Sequence, residues 1–126
     1  ENEACMFVTL IVGILDLNTG DFALANGGHN APVLMKADGS CAYIETETGP
    51  ALGFDESGEF PVMQSKLLPG ETLLLYSDGV TEAFNDRDEM FSDERLLVVL
   101  ADQANLRAAL DAAGWNQFDA FTQHIA

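Results

Sequence analysis

Apolar residues run almost unbroken from Met6 to Leu15, with Phe7, Val8, Ile11, Val12 and Ile14 interrupted only by Thr9 and Gly13. Such a run predicts a central strand covered on both faces. It stops at Asp16-Leu17-Asn18-Thr19-Gly20-Asp21, a stretch dense in turn formers. Phe22 to Asn26 returns as a strand, so the two predict an antiparallel hairpin. Pro32 to Lys36 follows as a strand, Asp38-Gly39 as a turn, and Cys41 to Glu47 as the next strand. Thr48 to Gly58 holds Gly49, Pro50, Gly53 and Gly58 and reads as a loop. Phe60 to Leu67 predicts an outer strand, with Pro61 near its beginning where a lost amide donor costs little. Leu68-Pro69-Gly70 turns the chain into a buried strand from Glu71 to Ser77, centred on Leu73-Leu74-Leu75-Tyr76.

After Asp78 the period changes from strand to helix. Ser92 is a candidate N-cap, with Asp93 and Glu94 in the first turn where the helix dipole favours negative charge. Leu96, Leu97 and Leu100 then fall on one stripe. Asn105 is placed to cap a further helix with Leu106, Ala109, Leu110 and Ala113 inward, ended by Gly114. Phe118, Phe121 and Ile125 space out a last helix. Strands followed by helices predict an α+β fold, with antiparallel strands from Met6 to about Ser77 and helices over Ser92 to Ala126. The chain begins at the edge of a core strand and stops inside a helix, so residues 1–126 are expected to form part of a larger domain.

The composition narrows the function. The chain has 126 residues, 48% of them hydrophobic, which is enough for one packed core and not the profile of a disordered segment. Five basic residues against twenty-one acidic ones give a net charge of −16. Nucleic-acid phosphates and anionic lipid would be repelled. The Met6 to Leu15 run is too short to cross a bilayer, and no signal-peptide pattern occurs. A cytoplasmic location is expected, with no membrane contact by this segment and tethering through an upstream sensor or membrane segment left open. Cys5 and Cys41 form no CxxC pair and sit among apolar residues, as small core residues do in a reduced compartment.

Asp78 is the first candidate for chemistry. It follows a predicted buried strand, and Gly79 lets the backbone turn beside it. Its carboxylate suits Mg²⁺ or Mn²⁺, hard cations that prefer oxygen. Spacing alone more often makes an Asp-Gly pair a plain turn. His29 and Asn30 lie in Gly27-Gly28-His29-Asn30-Ala31-Pro32; the histidine suits a ligand, an acid–base group or a phosphate contact, or a loop whose side chains bond its own backbone. Glu82, one helical turn past Asp78, and Asn85 are either supporting polar groups or solvated ones. His124 lies on a helical stretch without an assigned role. No nucleotide-binding glycine loop, nucleophile elbow, HExxH or cysteine–histidine metal spacing occurs.

Three stretches, in order and spacing, carry a resemblance. Ala4-Cys5-Met6-Phe7-Val8-Thr9-Leu10 leads into Gly13-Ile14-Leu15-Asp16, and Ala25-Asn26-Gly27-Gly28-His29-Asn30-Ala31-Pro32 follows. Leu68-Pro69-Gly70-Glu71-Thr72-Leu73-Leu74-Leu75-Tyr76-Ser77-Asp78-Gly79-Val80-Thr81-Glu82-Ala83 is the third, with Asn85, Glu89, Phe91 and Glu94-Arg95-Leu96 after it. From Glu1 to about Leu100 the chain resembles bacterial PPM (type 2C-like) Ser/Thr phosphatases of the stage II sporulation protein E type. These include stress-response phosphatases that act on anti-sigma factor antagonists.

The resemblance implies part of a four-layer α/β/β/α sandwich with two antiparallel sheets. It implies a site for two Mn²⁺ or Mg²⁺ ions, whose activated water hydrolyses phosphoserine or phosphothreonine on a regulatory protein. Asp78 matches the family's metal-binding Asp and Gly79 the glycine beside it, within the motif that includes Ser77 and Glu82. Gly28, His29 and Asn30 match a signature taken as mainly structural. The family's Asp-Val-x-Gly-His-Gly and Asp-Asp-Ile-Thr type segments do not occur in the sequence. The resemblance places the first before Glu1 and the second after Ala126, so the chain by itself is expected to assemble no binuclear site and to be inactive. Its open end is expected to favour self-association through unpaired strand edges. The alternative reading is a non-catalytic, phosphatase-like binding module that recruits a signalling partner.

Overall fold

The computed structural model of the chain describes residues 6–102. The helices expected beyond Asn105, the location of Cys5 and any role of His124 therefore lie outside the described residues. The described chain divides into two compact units. One takes residues 6–31 and 44–68, the other 32–43 and 69–102, so the chain passes from unit to unit three times. Each unit is built on its own sheet, and the fold is mixed α+β.

The first unit holds β1 (Leu10–Leu15), β2 (Asp21–Gly27), β5 (Thr48–Gly49) and β6 (Val62–Lys66). β1 and β2 form the expected hairpin, in register from Leu10 opposite Gly27 to Leu15 opposite Phe22. The Asp16 carboxylate caps the turn by accepting the Asn18 N–H at 2.8 Å, and Gly20 closes it at a positive φ of 78°. Along its other edge β2 pairs antiparallel with β6 over Asp21 to Ala25, then parallel with β5 at Asn26 and Gly27. The parallel pair departs from the all-antiparallel expectation. It arises because the predicted strand Cys41 to Glu47 breaks after Tyr43, and Thr48–Gly49 joins the other sheet.

The register sorts the side chains of this sheet, since alternate residues point to opposite faces. Phe22, Leu24 and Asn26 share one face and are buried. Leu10, Val12 and Ile14 share the other with Val62, and all four are exposed, Ile14 at 75%. The expectation of a central β1 covered on both faces is thus corrected. Among the described residues β1 is an edge strand paired only with β2, and its apolar run is largely exposed.

The second unit holds β3 (Val33–Met35), β4 (Cys41–Tyr43), β7 (Thr72–Leu74), a one-turn helix α1 (Asp78–Thr81) and α2 (Asp93–Ala101). β3 is central, antiparallel to β4 on one side and β7 on the other. Gly39 supports the β3–β4 turn at a φ of 89°, a conformation that glycine adopts without steric cost. Val33 and Met35 meet Leu96 and Leu100 of α2 in the buried core, with Cys41, Tyr43, Leu74, Tyr76, Val80, Phe91 and Leu97 packed around them. The predicted stripe on α2 is therefore the face it buries, and Ser92 is its N-cap.

The expected buried strand Glu71 to Ser77 is shorter and less buried than its leucines imply. β7 spans three residues at the edge of this sheet, half-buried at Leu73 and Leu74, and Leu75 beyond it is exposed. Among the described residues no helix is long and apolar enough to cross a membrane.

Candidate functional site

Three residues separate the last paired residue of β7 from Asp78, which opens α1 instead of ending the strand. Ser77 is the N-cap, in extended conformation at φ −98° and ψ 161°, but its hydroxyl makes no capping bond. The turn is closed by backbone: the Val80 N–H donates to the Ser77 carbonyl at 3.0 Å and the Glu82 N–H to the Asp78 carbonyl at 2.7 Å. Ser77, Asp78, Gly79 and Glu82 are all exposed, whereas Thr81 on the opposite side of the turn is buried. Among the described residues neither the Asp78 nor the Glu82 carboxylate takes part in a hydrogen bond or ion pair. Asp78 thus presents two solvated oxygens from a fixed backbone, and Glu82 connects to it through main chain alone.

A hard divalent cation wants about six oxygens in near-octahedral array. Among the described residues no group of three or more His, Cys, Asp or Glu is disposed to hold an ion. The donor chemistry of Asp78 suits one ligand of such a site, but the described residues do not fit a pair of ions by themselves.

The other sequence candidates belong to the first unit. β2 ends at Gly27, and Gly28 follows at a φ of 70°. A Cβ on Gly28 would lie 2.9 Å from the Ala51 amide nitrogen, so both conformation and space exclude a side chain. Asn26, 1% exposed, pins the loop from within. Its Oδ1 accepts the His29 N–H at 2.8 Å and its Nδ2 donates to the His29 carbonyl at 3.0 Å. The His29 Nδ1 in turn accepts the Asn30 N–H at 2.7 Å, which a proton on that nitrogen would break. Only Nε2 remains for any outward contact. Gly28, His29 and Asn30 are thus brought together as a self-bonded loop, while Ser77, Asp78, Gly79 and Glu82 form a separate group in the second unit.

Sequence reasoning passed over Asn26 and Thr81, the two buried polar residues among those described. The signal for Asn26 was its place at a strand end directly before Gly-Gly, where a side-chain amide commonly bonds the backbone ahead of it. Thr81 carried none, because a threonine inside a polar motif does not reveal which way it faces. Asn85, read as a supporting or solvated group, is a turn-former: its Oδ1 accepts the Arg87 and Glu89 N–H groups at 2.9 and 3.0 Å.

The family model described as stage II sporulation protein E (SpoIIE) matches residues 1–120. The chain belongs to the SpoIIE family. As a SpoIIE-family chain it is related, at the level of family identity, to the PPM-type Ser/Thr phosphatase domains. It is 34% identical over 98 residues to Protein IcfG of Synechocystis sp. (strain ATCC 27184 / PCC 6803 / Kazusa), covering 78% of this chain and 15% of that protein. It is 26% identical over 80 residues to Phosphoserine phosphatase RsbU of Bacillus subtilis, covering 64% of this chain and 24% of RsbU. The SpoIIE-family region in hand thus spans under a quarter of the length of these two relatives.

Among solved structures, the RsbU and RsbW domains of Rv1364c from Mycobacterium tuberculosis superpose with a TM-score of 0.61 at 28% identity, over 83% of this chain and 32% of that one. The phosphatase domain of SpoIIE from Bacillus subtilis, presoaked with Mn, gives 0.59 at 18% identity over 94% and 51%, a likeness of fold alone.

Proposed function

We propose that this chain is part of a metal-dependent phosphoprotein phosphatase that hydrolyses phosphoserine or phosphothreonine on a regulatory protein of the anti-sigma factor antagonist type. The observation that carries the reading is the Asp78 carboxylate. It sits in the Ser-Asp-Gly-Val-Thr-Glu stretch of a SpoIIE-family chain, exposed on α1 and engaged by no other described residue. The similarity to the phosphoserine phosphatase RsbU and to a structure that holds RsbU and RsbW domains supports both the reaction and the kind of partner.

Asp78 would supply one oxygen ligand to a site for two Mn²⁺ or Mg²⁺ ions, with Gly79 leaving the approach to the backbone open. The remaining ligands would come from outside the described residues. When bound, the ions lower the pKa of a water and offset charge on phosphoryl oxygens. Ser77 and Glu82 flank the ligand, and Gly28, His29 and Asn30 shape their own loop. For the complete domain we propose the four-layer α/β/β/α sandwich, of which residues 1–126 supply part, in a cytoplasmic protein.

The test is Asp78→Asn in the full-length protein, assayed with Mn²⁺ on a phosphoserine peptide. Turnover should fall by orders of magnitude, roughly a hundredfold or more for a lost ligand charge, with an unchanged circular dichroism spectrum. A full-length parent that binds phosphorylated partner but never turns it over would establish instead the phosphatase-like binding module.

A further inference from the structure

The segment from Asp78 to Ser92 is a loop tied shut at its base. α1 has too few residues to be stable alone, because a single helical turn fixes several dihedrals for very few hydrogen bonds. Val80 packs it against the core, and further support comes from the far end of the loop. The Thr81 carbonyl accepts the Ser92 N–H at 2.8 Å, the Ala83 carbonyl accepts the Phe91 N–H at 2.7 Å, and the Asn85 N–H donates to the Glu89 carbonyl at 3.0 Å. Phe84 and Met90 bridge between these bonds, so a short antiparallel ribbon joins the end of α1 to the start of α2. α2 is anchored in the core through Leu96 and Leu100.

Ser92 is the point where the ribbon meets that anchor. Its backbone stands at φ 74° and ψ 160°, a region that is essentially reserved for glycine. The conformation serves two bonds at once: the N–H turns back to Thr81, and Oγ caps α2 by accepting the Arg95 N–H at 3.5 Å. On the α1 side Thr81 is buried, and its hydroxyl donates to the Asp78 carbonyl at 3.4 Å. An unbroken path of hydrogen bonds therefore runs from the rigid helix α2, through Ser92 and Thr81, to the backbone of Asp78.

We propose that Ser92 is a positioning residue: its amide clasps α1 to α2 and so fixes the direction in which Asp78 presents its carboxylate. The assignment of a task to that carboxylate rests on the phosphatase reading above; the clasp itself does not.

The test replaces the Ser92 amide N–H by an ester oxygen in the full-length protein, which deletes the donor and leaves the side chain in place. Amide exchange at Val80 and Glu82, the two donors inside α1, should accelerate about tenfold, the factor expected for one net hydrogen bond, while Leu96 and Leu100 keep their protection. Turnover of a phosphoserine peptide should lose kcat with KM unchanged. Ser92→Gly, which retains the donor and relaxes the backbone, should restore slow exchange at Val80 and Glu82. Unchanged exchange at those two amides in the ester protein overturns the clasp, and so does equal acceleration at Leu96 and Leu100, which marks general loosening. A parent protein without turnover overturns the phosphatase reading instead, and the exchange data still decide the clasp.

Discussion

The two sheets are built from similar strands and end in opposite conditions. The sheet of β3, β4 and β7 carries α2 across one face, and Val33, Met35, Leu96 and Leu100 there are at most 6% exposed. The sheet of β1, β2, β5 and β6 buries Phe22 and Leu24 on one face but leaves Leu10, Val12, Ile14 and Val62 at 44% or more on the other. Side-chain chemistry does not separate the two sets, since valine and leucine make up three of the four residues in each. Among the described residues, what separates them is α2, laid over the strands of one sheet. An apolar side chain contributes to stability only through the surface it removes from water, so the same residue type carries very different energies in the two units.

The largest test of this contrast is Leu96→Ala. It should cost about 2–5 kcal/mol, the range for truncating a buried leucine, measured by thermal or urea unfolding. Asn26→Ala comes next. It would strand the half-buried His29 N–H and carbonyl that the side chain now serves, at about 1 kcal/mol or somewhat more for partly exposed groups. That result would show that the sparsely covered unit depends on a polar anchor where the other depends on a helix.

Tyr43→Phe should be smaller, about 1 kcal/mol for a hydrogen bond, since it removes the O–H that donates to the Asp93 carbonyl at 2.9 Å. Partial burial, with Tyr76 and the acidic Asp93 and Glu94 nearby, pushes the Tyr43 phenol above its ordinary value of 10.0. A raised folded pKa makes its stabilisation complete below pH 10.0 and lost as the pH rises further, because the unfolded chain ionises first. The Phe variant should therefore lose less stability than the parent between neutral and strongly alkaline pH. Val12→Thr on the uncovered face is the smallest change, within about 0.5 kcal/mol of the parent. A large loss there would mean that the face is covered in solution and would erase the contrast.

These contrasts mark what the sequence could carry. The hairpin of β1 and β2 was legible because its turn formers fix both the reversal and the register. The start of α2 was legible because Ser92, Asp93 and Glu94 are a local signal. The exposure of Val12 and Ile14 was not, because an apolar run records a preference for burial without recording what will lie over it. The break after Tyr43 was hidden for a related reason. Which sheet a two-residue strand joins depends on a distant partner, here Asn26 and Gly27 of β2. At the candidate site the carboxylate of Asp78 was readable from its motif, but its position on a one-turn helix was not. That position depends on Thr81 and Ser92, eleven residues apart in the chain and joined by one backbone bond.

The interleaving of the units has a consequence for synthesis. A ribosome delivers the chain from its amino end, so β3 and β4 emerge while the partner strand of β3 on its other edge, Thr72–Leu74, is still unmade. The intervening stretch 44–68 belongs to the other unit and must find β2 before that partner appears. The first unit is therefore completed only after part of the second has been made, and neither can be released as one continuous fragment by a single cut. A nascent chain halted at Leu68 would hold a finished four-stranded sheet and a bare hairpin of Val33–Met35 and Cys41–Tyr43, whose apolar residues have no helix to receive them until Leu100 leaves the exit tunnel.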